Sequence, residues 1–581
     1  MTGVDERLAY QFQAELAALD QFRVGYAGGR PNLPLRGDDP DVQRMIEALA
    51  FFSARTRLAS ERAVDESLLR IFRQHFPYLL SPIPALTMLS MIPHRSLTEP
   101  VHIAAGTAVE IRSQQTPEQK FSFKTLEPLT LLPVWIDSVV LRKQGTASAP
   151  RGMQHGASAL RAGAASPALP TRRLELSFTS AFPRSAQFDS LALQVDYLGD
   201  VGASMLVYSE LRRHVQSANI VWVTVDTQFG AELSQPLPCS LRFRSPTNLT
   251  TPVGALEHPV QRIRAALHHP QQALTLHITD LAPPANWRSF MVAIELGSDW
   301  PDALPLPREV FKLHCVPIVN VERTLSEVIV HDGTRDRHRL SYPAQGTERF
   351  VPVTVHGAFR VQKSGLVPLV PSVLAPLADS YEAHAEGTGS DRRAYVTLHM
   401  EHAFEQAPSV VVDASWHQPE VALTPVAELK ARFATKSVPA DLRLEHALAP
   451  ALETALGSDR ATLLELLAVK GHRLLELAAL RVLLRTMSLT ETALFSNVSE
   501  ALCDVRVREK PSGKRQRSLK YLYELEFGPV TASDFPKVEL LCEQLFDLLR
   551  VWSGSEIIEM TAHIPNLQRT LTLRANETQR P

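Results

Sequence analysis

Cysteine is scarce in this 581-residue chain: only Cys239, Cys315, Cys503 and Cys542 occur, none within CxxC or metal-ligand spacing of another. That excludes a disulfide framework and a cysteine-based zinc site, and it fits a reducing compartment. Charge of one sign is also missing, since 60 Lys plus Arg stand against 62 Asp plus Glu, a formal net charge of -2. A basic excess able to neutralise a phosphate backbone is absent, so bulk nucleic-acid binding is disfavoured. Long hydrophobic runs are lacking too. Pro77 to Pro93 is cut by Pro82 and Pro84, and Leu463 to Leu484 carries Glu465, Lys470, Arg473, Glu476 and Arg481, so no segment reads as membrane-spanning. The acidic start, with Asp5 and Glu6, does not resemble a signal peptide, and the expectation is a soluble, cytoplasmic protein without direct membrane insertion.

What the chain has in excess is proline, 42 residues, alongside an apolar content of 45% that is enough for several cores. Its length exceeds what one core supports. The first ninety residues read as helical. Leu8, Phe12, Leu16, Leu19 and Phe22 recur at steps of three and four on one face of a first helix. A Gly/Pro loop follows from Gly28, and then Asp38-Asp39-Pro40-Asp41 opens a second helix whose expected buried stripe is Val42, Met45, Ile46, Leu49 and Phe52. A third helical stretch is expected at about 64–76. It ends in Pro77-Tyr78-Leu79-Leu80-Ser81-Pro82-Ile83-Pro84, whose prolines favour extended backbone.

From about Ile83 to Leu374 short alternating segments bounded by Gly, Pro and Asp predict strands, among them 107–111, 120–124, 174–178, 191–197 and 349–355. A short helix is expected at 208–215. An aperiodic Ala/Ser/Gly/Pro/Arg tract over 142–173 reads as a mobile loop, and 382–391 as another exposed loop. Helical period returns beyond about Ala440. It is followed by a strand pair at 503–507 and 521–527 around Pro511-Ser512-Gly513-Lys514, a helix carrying Leu540, Leu541, Leu545, Phe546 and Leu549, and a last strand near 556–561. The expected fold is α+β and multidomain, in four parts: an N-terminal helical segment (1–82), a first β-rich domain (83–240), a second (241–400) and a C-terminal α+β domain (401–581).

No catalytic constellation emerges. His268-His269 with His277, and His399 with His402 at i, i+3, lack the spacing of a metal motif. Gly513-Lys514 is no phosphate loop, since Arg508 stands where the first glycine belongs and Arg515 where Ser or Thr belongs. The densest basic cluster, Arg506, Arg508, Lys510, Lys514, Arg515, Arg517 and Lys520, reads first as a solvated edge that blunts strand pairing and second as a candidate contact for an acidic partner. The apolar stripes of the first helices either pack on the chain's own body or need partner helices, in which case Leu8, Phe12, Leu16, Leu19, Met45, Leu49 and Phe52 form the interface of a heteromeric bundle.

Four ordered segments carry a resemblance to a known family: Asp39 through Arg55; His75-Phe76-Pro77-Tyr78-Leu79-Leu80-Ser81-Pro82-Ile83-Pro84; Phe121-Ser122-Phe123-Lys124-Thr125 with Pro133-Val134; and Phe311 through Asn320, which contains Cys315, Pro317 and Asn320. Together they resemble TssF (also called VasA or ImpG), a baseplate protein of type VI secretion systems. The match runs from about 38 to 375 and fades past about 400. The resemblance implies a structural, non-enzymatic protein without cofactors, paired with a second copy of itself and a TssG-like subunit in a baseplate wedge. It further implies contact with a TssK-like adaptor and with sheath and spike components, and a cytoplasmic site docked at the inner-membrane complex of a Gram-negative bacterium. Pro77, Tyr78, Pro82, Pro84, Cys315, Pro317 and Asn320 take scaffold roles in this reading. The alternatives are a wedge protein of another phage-tail-like machine, a metal-dependent hydrolase built on the histidines, and a nucleic-acid or membrane-surface binder acting through 506–520.

Overall fold

A computed structural model describes residues 2–28, 40–116, 118–143, 172–184, 186–226, 230–243, 256, 258–343, 350–372, 379–386, 392–435, 438–453, 460–470, 472, 474–487, 494–511, 519–554 and 558–574. The expected loop at 142–173 falls almost wholly outside them. Its described ends, Arg142, Lys143, Arg172 and Arg173, lie in two strands that pair with each other. The architecture is α+β, with helices at the start, β-rich sheets in the middle and a mixed C-terminal region. Two compact units divide the chain: Met1–Pro77 with Leu456–Leu467, and Tyr78–Ala455 with Ala468–Pro581.

The first unit holds α1 (Thr2–Gly28) and α2 (Pro40–His75). The two helices expected between Asp38 and Phe76 are one helix of 36 residues. No glycine or proline interrupts Asp41 to His75, and Arg57 reaches Glu61 one turn on at 3.7 Å, so nothing breaks the ladder. Pro40 at the first position, Asp41 in the first turn, and Arg73 and His75 in the last suit the ends of the helix dipole.

One helical turn, Pro77–Leu80, follows α2 where extended backbone was expected; the non-helical run starts only at Ser81. A six-stranded antiparallel sheet follows, in the order Leu429–Phe433, Ala108–Ser113, Lys120–Thr125, Cys315–Val319, Leu86–Pro93, Ala440–Leu444. Leu86–Pro93 is nearly continuously apolar because both its faces are covered. Leu89 and Met91 enter one core with Val109, Phe121, Phe123 and Ile318, while Leu86 enters another with Leu126, Ala265 and Val319. A nine-stranded sheet carries a cluster of stacked and edge-on rings, Phe178, Phe188, Trp222, Trp287 and Phe290, with centroids 4.7–6.1 Å apart. The short helix expected at 208–215 is longer, Val201–His214, and starts at Asp200, whose carboxylate accepts the Ala203 N–H at 3.0 Å.

A five-stranded and a four-stranded sheet enclose a third core built on Val396, Leu398, Val410, Val412 and Trp416. Here the expected loop at 382–391 is corrected. Ser380–Glu386 is a strand paired along its length with Arg393–His399, while 387–391 lie outside the described residues. Alternation of Tyr381, Ala383 and Ala385 with charged neighbours was the signal, masked by three acidic residues.

Ala440–Leu444, placed by the sequence where helix resumes, is a strand; described helix returns only at Arg460. The C-terminal sheet runs Leu502–Pro511, Leu519–Phe527, Ile558–Ile564, Arg569–Arg574, with the middle pair parallel and connected through the helix Phe535–Ser553. That helix is buried on nearly every side, polar residues included. Glu543 takes an ion pair from Arg212, and Glu539 accepts from Ser209. No described helix is long and apolar enough to cross a membrane.

Candidate partner interface

The partition of apolar surface between α1 and α2 is explicit. α1 lays Leu8, Phe12, Leu16 and Leu19 half-buried along α2. The Phe12 ring meets Phe51 edge-on at 6.5 Å, while Glu15 accepts from Ser53 at 2.9 Å and from Arg57 at 3.1 Å. These bonds set the rotation of α2 so that Ala50 and Ala54, small enough for close backbone approach, are fully buried. The opposite face is therefore turned outward, and the stripe expected to be buried is not. Met45, Leu49 and Phe52 are 61%, 56% and 63% exposed, with Val42 beside them. Phe22, the last residue of the stripe expected on α1, is exposed, and Tyr26, which sequence reasoning missed, stacks on it at 6.0 Å and is exposed too. Their i, i+4 spacing continues the stripe and was the available signal.

The proline-rich turn is held by one buried cation. Arg264, in the helix Pro259–His268, donates to the carbonyls of Tyr78 (3.0 Å) and Ser81 (2.8 Å), and burial lowers its pKa to about 10. Tyr78 stacks flat on His258 at 3.7 Å, and burial pushes its phenol up to about 12. His258 caps that same helix through Nδ1 and the Val260 N–H, at 3.2 Å. Pro82 and Pro84 are buried, and Pro77 is exposed.

In Cys315–Val319 a proline sits inside a sheet. It is tolerated because Pro317 lies between residues bonded to Leu86–Pro93, so its missing N–H faces the side where the Lys120–Thr125 ladder has not begun, and its carbonyl accepts from Leu126 at 2.9 Å. Cys315 is half-buried, and burial raises its thiol pKa. Asn320 is fully buried and joins three strands. Its N–H donates to Ala85 (2.9 Å), its Nδ2 to the Ser122 carbonyl (3.0 Å), and its Oδ1 accepts from the Gln418 N–H (2.7 Å). Asn320→Asp replaces a donor by a charged acceptor facing the Ser122 carbonyl at unchanged volume. It is expected to lower unfolding free energy by about 3 kcal/mol, measured by urea denaturation, with Asn320→Ala costing less.

Arg506 and Arg508 do not form a free basic surface. The register of Leu502–Pro511 with Leu519–Phe527 sets Glu526 and Glu524 beside them, at 3.6 and 3.5 Å, and Asp504 bonds Arg506 at 2.8 Å. These acidic neighbours sit across the strand pair and are invisible in the sequence without the register. Lys514, Arg515 and Arg517 lie outside the described residues. Among the described residues no group of three His, Cys, Asp or Glu is arranged to hold a metal. His268 donates to the Pro450 carbonyl at 2.7 Å, and His402 is exposed at a positive φ.

Residues 5–399 match the family model of the type VI secretion system protein TssF. The chain belongs to the TssF family. Likeness of fold to solved structures extends further than this match. One chain from a cryo-electron microscopy structure of a type VI secretion system TssK-TssF-TssG baseplate subcomplex superposes with TM-score 0.68 at 14% identity, covering 93% of this chain and 99% of that one. A chain from a structure of the type VI secretion system baseplate complex gives 0.53 at 15%, covering 97% and 98%. At these identities the likeness is one of fold. No curated protein matches. The TssF match spans both helices and all four segments of the resemblance, and ends before the Arg506 and Arg508 strand pair.

Proposed function

We propose that this chain is a non-enzymatic structural subunit of a type VI secretion baseplate, working in the cytoplasm at the inner-membrane complex. In this reading it forms a wedge with a TssG-like subunit and a second copy of itself, contacts a TssK-like adaptor, and supports sheath and tube assembly around the spike. The TssF family match carries the assignment. The exposed stripe Val42, Met45, Leu49 and Phe52, with Phe22 and Tyr26 on α1, supplies the surface for partner helices. An exposed apolar stripe of this kind is costly in water and is favourable once covered, at about 25 cal/mol per Å2. The scaffold residues Pro77, Tyr78, Pro82, Pro84, Cys315, Pro317 and Asn320 act by holding the β body in shape rather than by touching partners.

Co-expression with the TssG-like and TssK-like proteins of the same system, followed by native mass measurement, tests this. The expected product is one heteromeric complex containing all three. A folded chain that stays apart from both partners would overturn the assignment.

A further inference from the structure

The stretch from Leu477 to Arg574 forms a sheet-and-helix module of about a hundred residues, the size of a domain with its own core. Its sheet has one apolar face. Tyr521, Tyr523, Ile558 and Met560 are buried on that side, on two parallel strands joined through the helix Phe535–Ser553. A crossover helix lies on the sheet it connects, and Val538, Leu541, Leu545 and Leu549 share the face that covers those residues. The opposite face repeats Glu539, Glu543 and Asp547 at steps of four, and it is turned to the β body. There the helix packs on Val201–His214 and Pro259–His268. Glu539 accepts from Ser209, Glu543 accepts from Arg212, and Asp547 lies in the field of Arg262. Among the described residues no other pairing of elements joins the module to the body as extensively.

A charge pair sealed in a core strands both ions when it is pulled apart. These pairs are built differently, because most members have a second partner on their own side. Arg569 of the module acts on Glu539, and Arg550 stands 4.0 Å from Asp547. On the body, Glu127 acts on Arg262, and the Arg212 side chain is already 38% exposed to water. Separating the two faces therefore leaves each of these four charges with a counter-charge or with solvent. The apolar core of the module lies on the sheet side of the helix and travels with it.

We propose that this acidic face is a latch, at which the C-terminal module leaves and rejoins the β body as a rigid unit, held while docked by the contacts to Ser209, Arg212 and Arg262. The chain thereby has two arrangements of the same folded parts. The inference does not depend on the helical stripe or on the wedge assignment.

Double electron–electron resonance on the full chain tests this, with spin labels on Cys503 in the module and on Leu233→Cys in the body, both exposed positions. The parent is expected to give one main distance. Arg212→Glu sets a carboxylate against Glu543 and is expected to raise the population at other distances at least about tenfold, with far-UV circular dichroism unchanged. The reversed pair, R212E with E543R, is expected to restore the main distance. An unchanged distance distribution in R212E, or a reversed pair that fails to restore docking, would overturn the proposal. Loss of folded secondary structure in R212E would do so too, since the joint would then belong to one cooperative core.

Discussion

The L49D/F52D variant, co-expressed with a TssG-like partner, is expected to lose co-purification while remaining folded. In the free chain both side chains are more than half exposed, so the substitutions remove little buried area and the melting temperature should stay within a few degrees of the parent. In an assembled helical bundle the same positions would be covered. Each lost apolar side chain then costs about 1.5–3 kcal/mol, and each introduced carboxylate adds a desolvation penalty of similar size. Together these amount to at least about 6 kcal/mol, a weakening of ten-thousandfold or more. Pull-down with quantitation of the partner and a parallel melting curve separate the outcomes. Undiminished binding by a folded variant would remove these residues from the interface, and a variant that no longer folds would show that the stripe serves the chain itself. E47Q, a change at a charged exposed position of the same helix, serves as the control and should bind normally.

Acid is expected to unfold this protein in the range where most carboxylates still hold their charge. Burial lowers His314 to about 4, His417 to about 4 and His269 to about 3, and His258 reaches about 4 through burial and the nearby Arg262. In the unfolded chain each titrates near 6.5. The unfolded state therefore binds more protons between pH 6.5 and 4, so stability is full above about 6.5 and falls as pH drops. At pH 5 each of the three deeply buried rings contributes a loss of about 2 kcal/mol, on the order of 6 kcal/mol together. Glu127 and Glu539, whose pKa values are raised by burial, act in the opposite sense and recover part of this. Urea denaturation at pH 7.5 and pH 5 reads the difference. His417→Asn removes one site and should shallow the slope by up to one proton; an unchanged profile would mean that His417 is protonated in the folded state.

The helical start, the β-rich middle and the mixed end were legible because periodicity and proline placement are local. Tyr521 and Leu525 alternate visibly with charged residues, and the strand Leu519–Phe527 is where that pattern puts it. What escaped was set by partners far along the chain. Nothing local distinguishes Ala50 and Ala54, which are buried, from Met45 and Leu49, which are not; Glu15 decides it by bonding Ser53 and Arg57. The same holds for the basic strand, quenched by Glu524 and Glu526 across the ladder, and for Asn320, whose motif was recognised but whose bonds to Ser122 and Gln418 span 198 and 98 residues. Arg264 was not singled out at all, although it fixes the one turn that the resemblance marked most clearly.

The strand Leu86–Pro93 has its neighbours Cys315–Val319 and Ala440–Leu444 far downstream. During synthesis at about 5–20 residues per second, the second of these arrives roughly 350 residues after the first strand has left the ribosome, a wait of about 20–70 seconds. Until Cys315–Val319 emerges both edges of this apolar segment are bare, and one edge stays bare until Ala440–Leu444 follows. The ribosome-bound intermediate is thus a natural client for holding chaperones, and truncations before residue 440 should be degraded or aggregate rather than accumulate as soluble fragments.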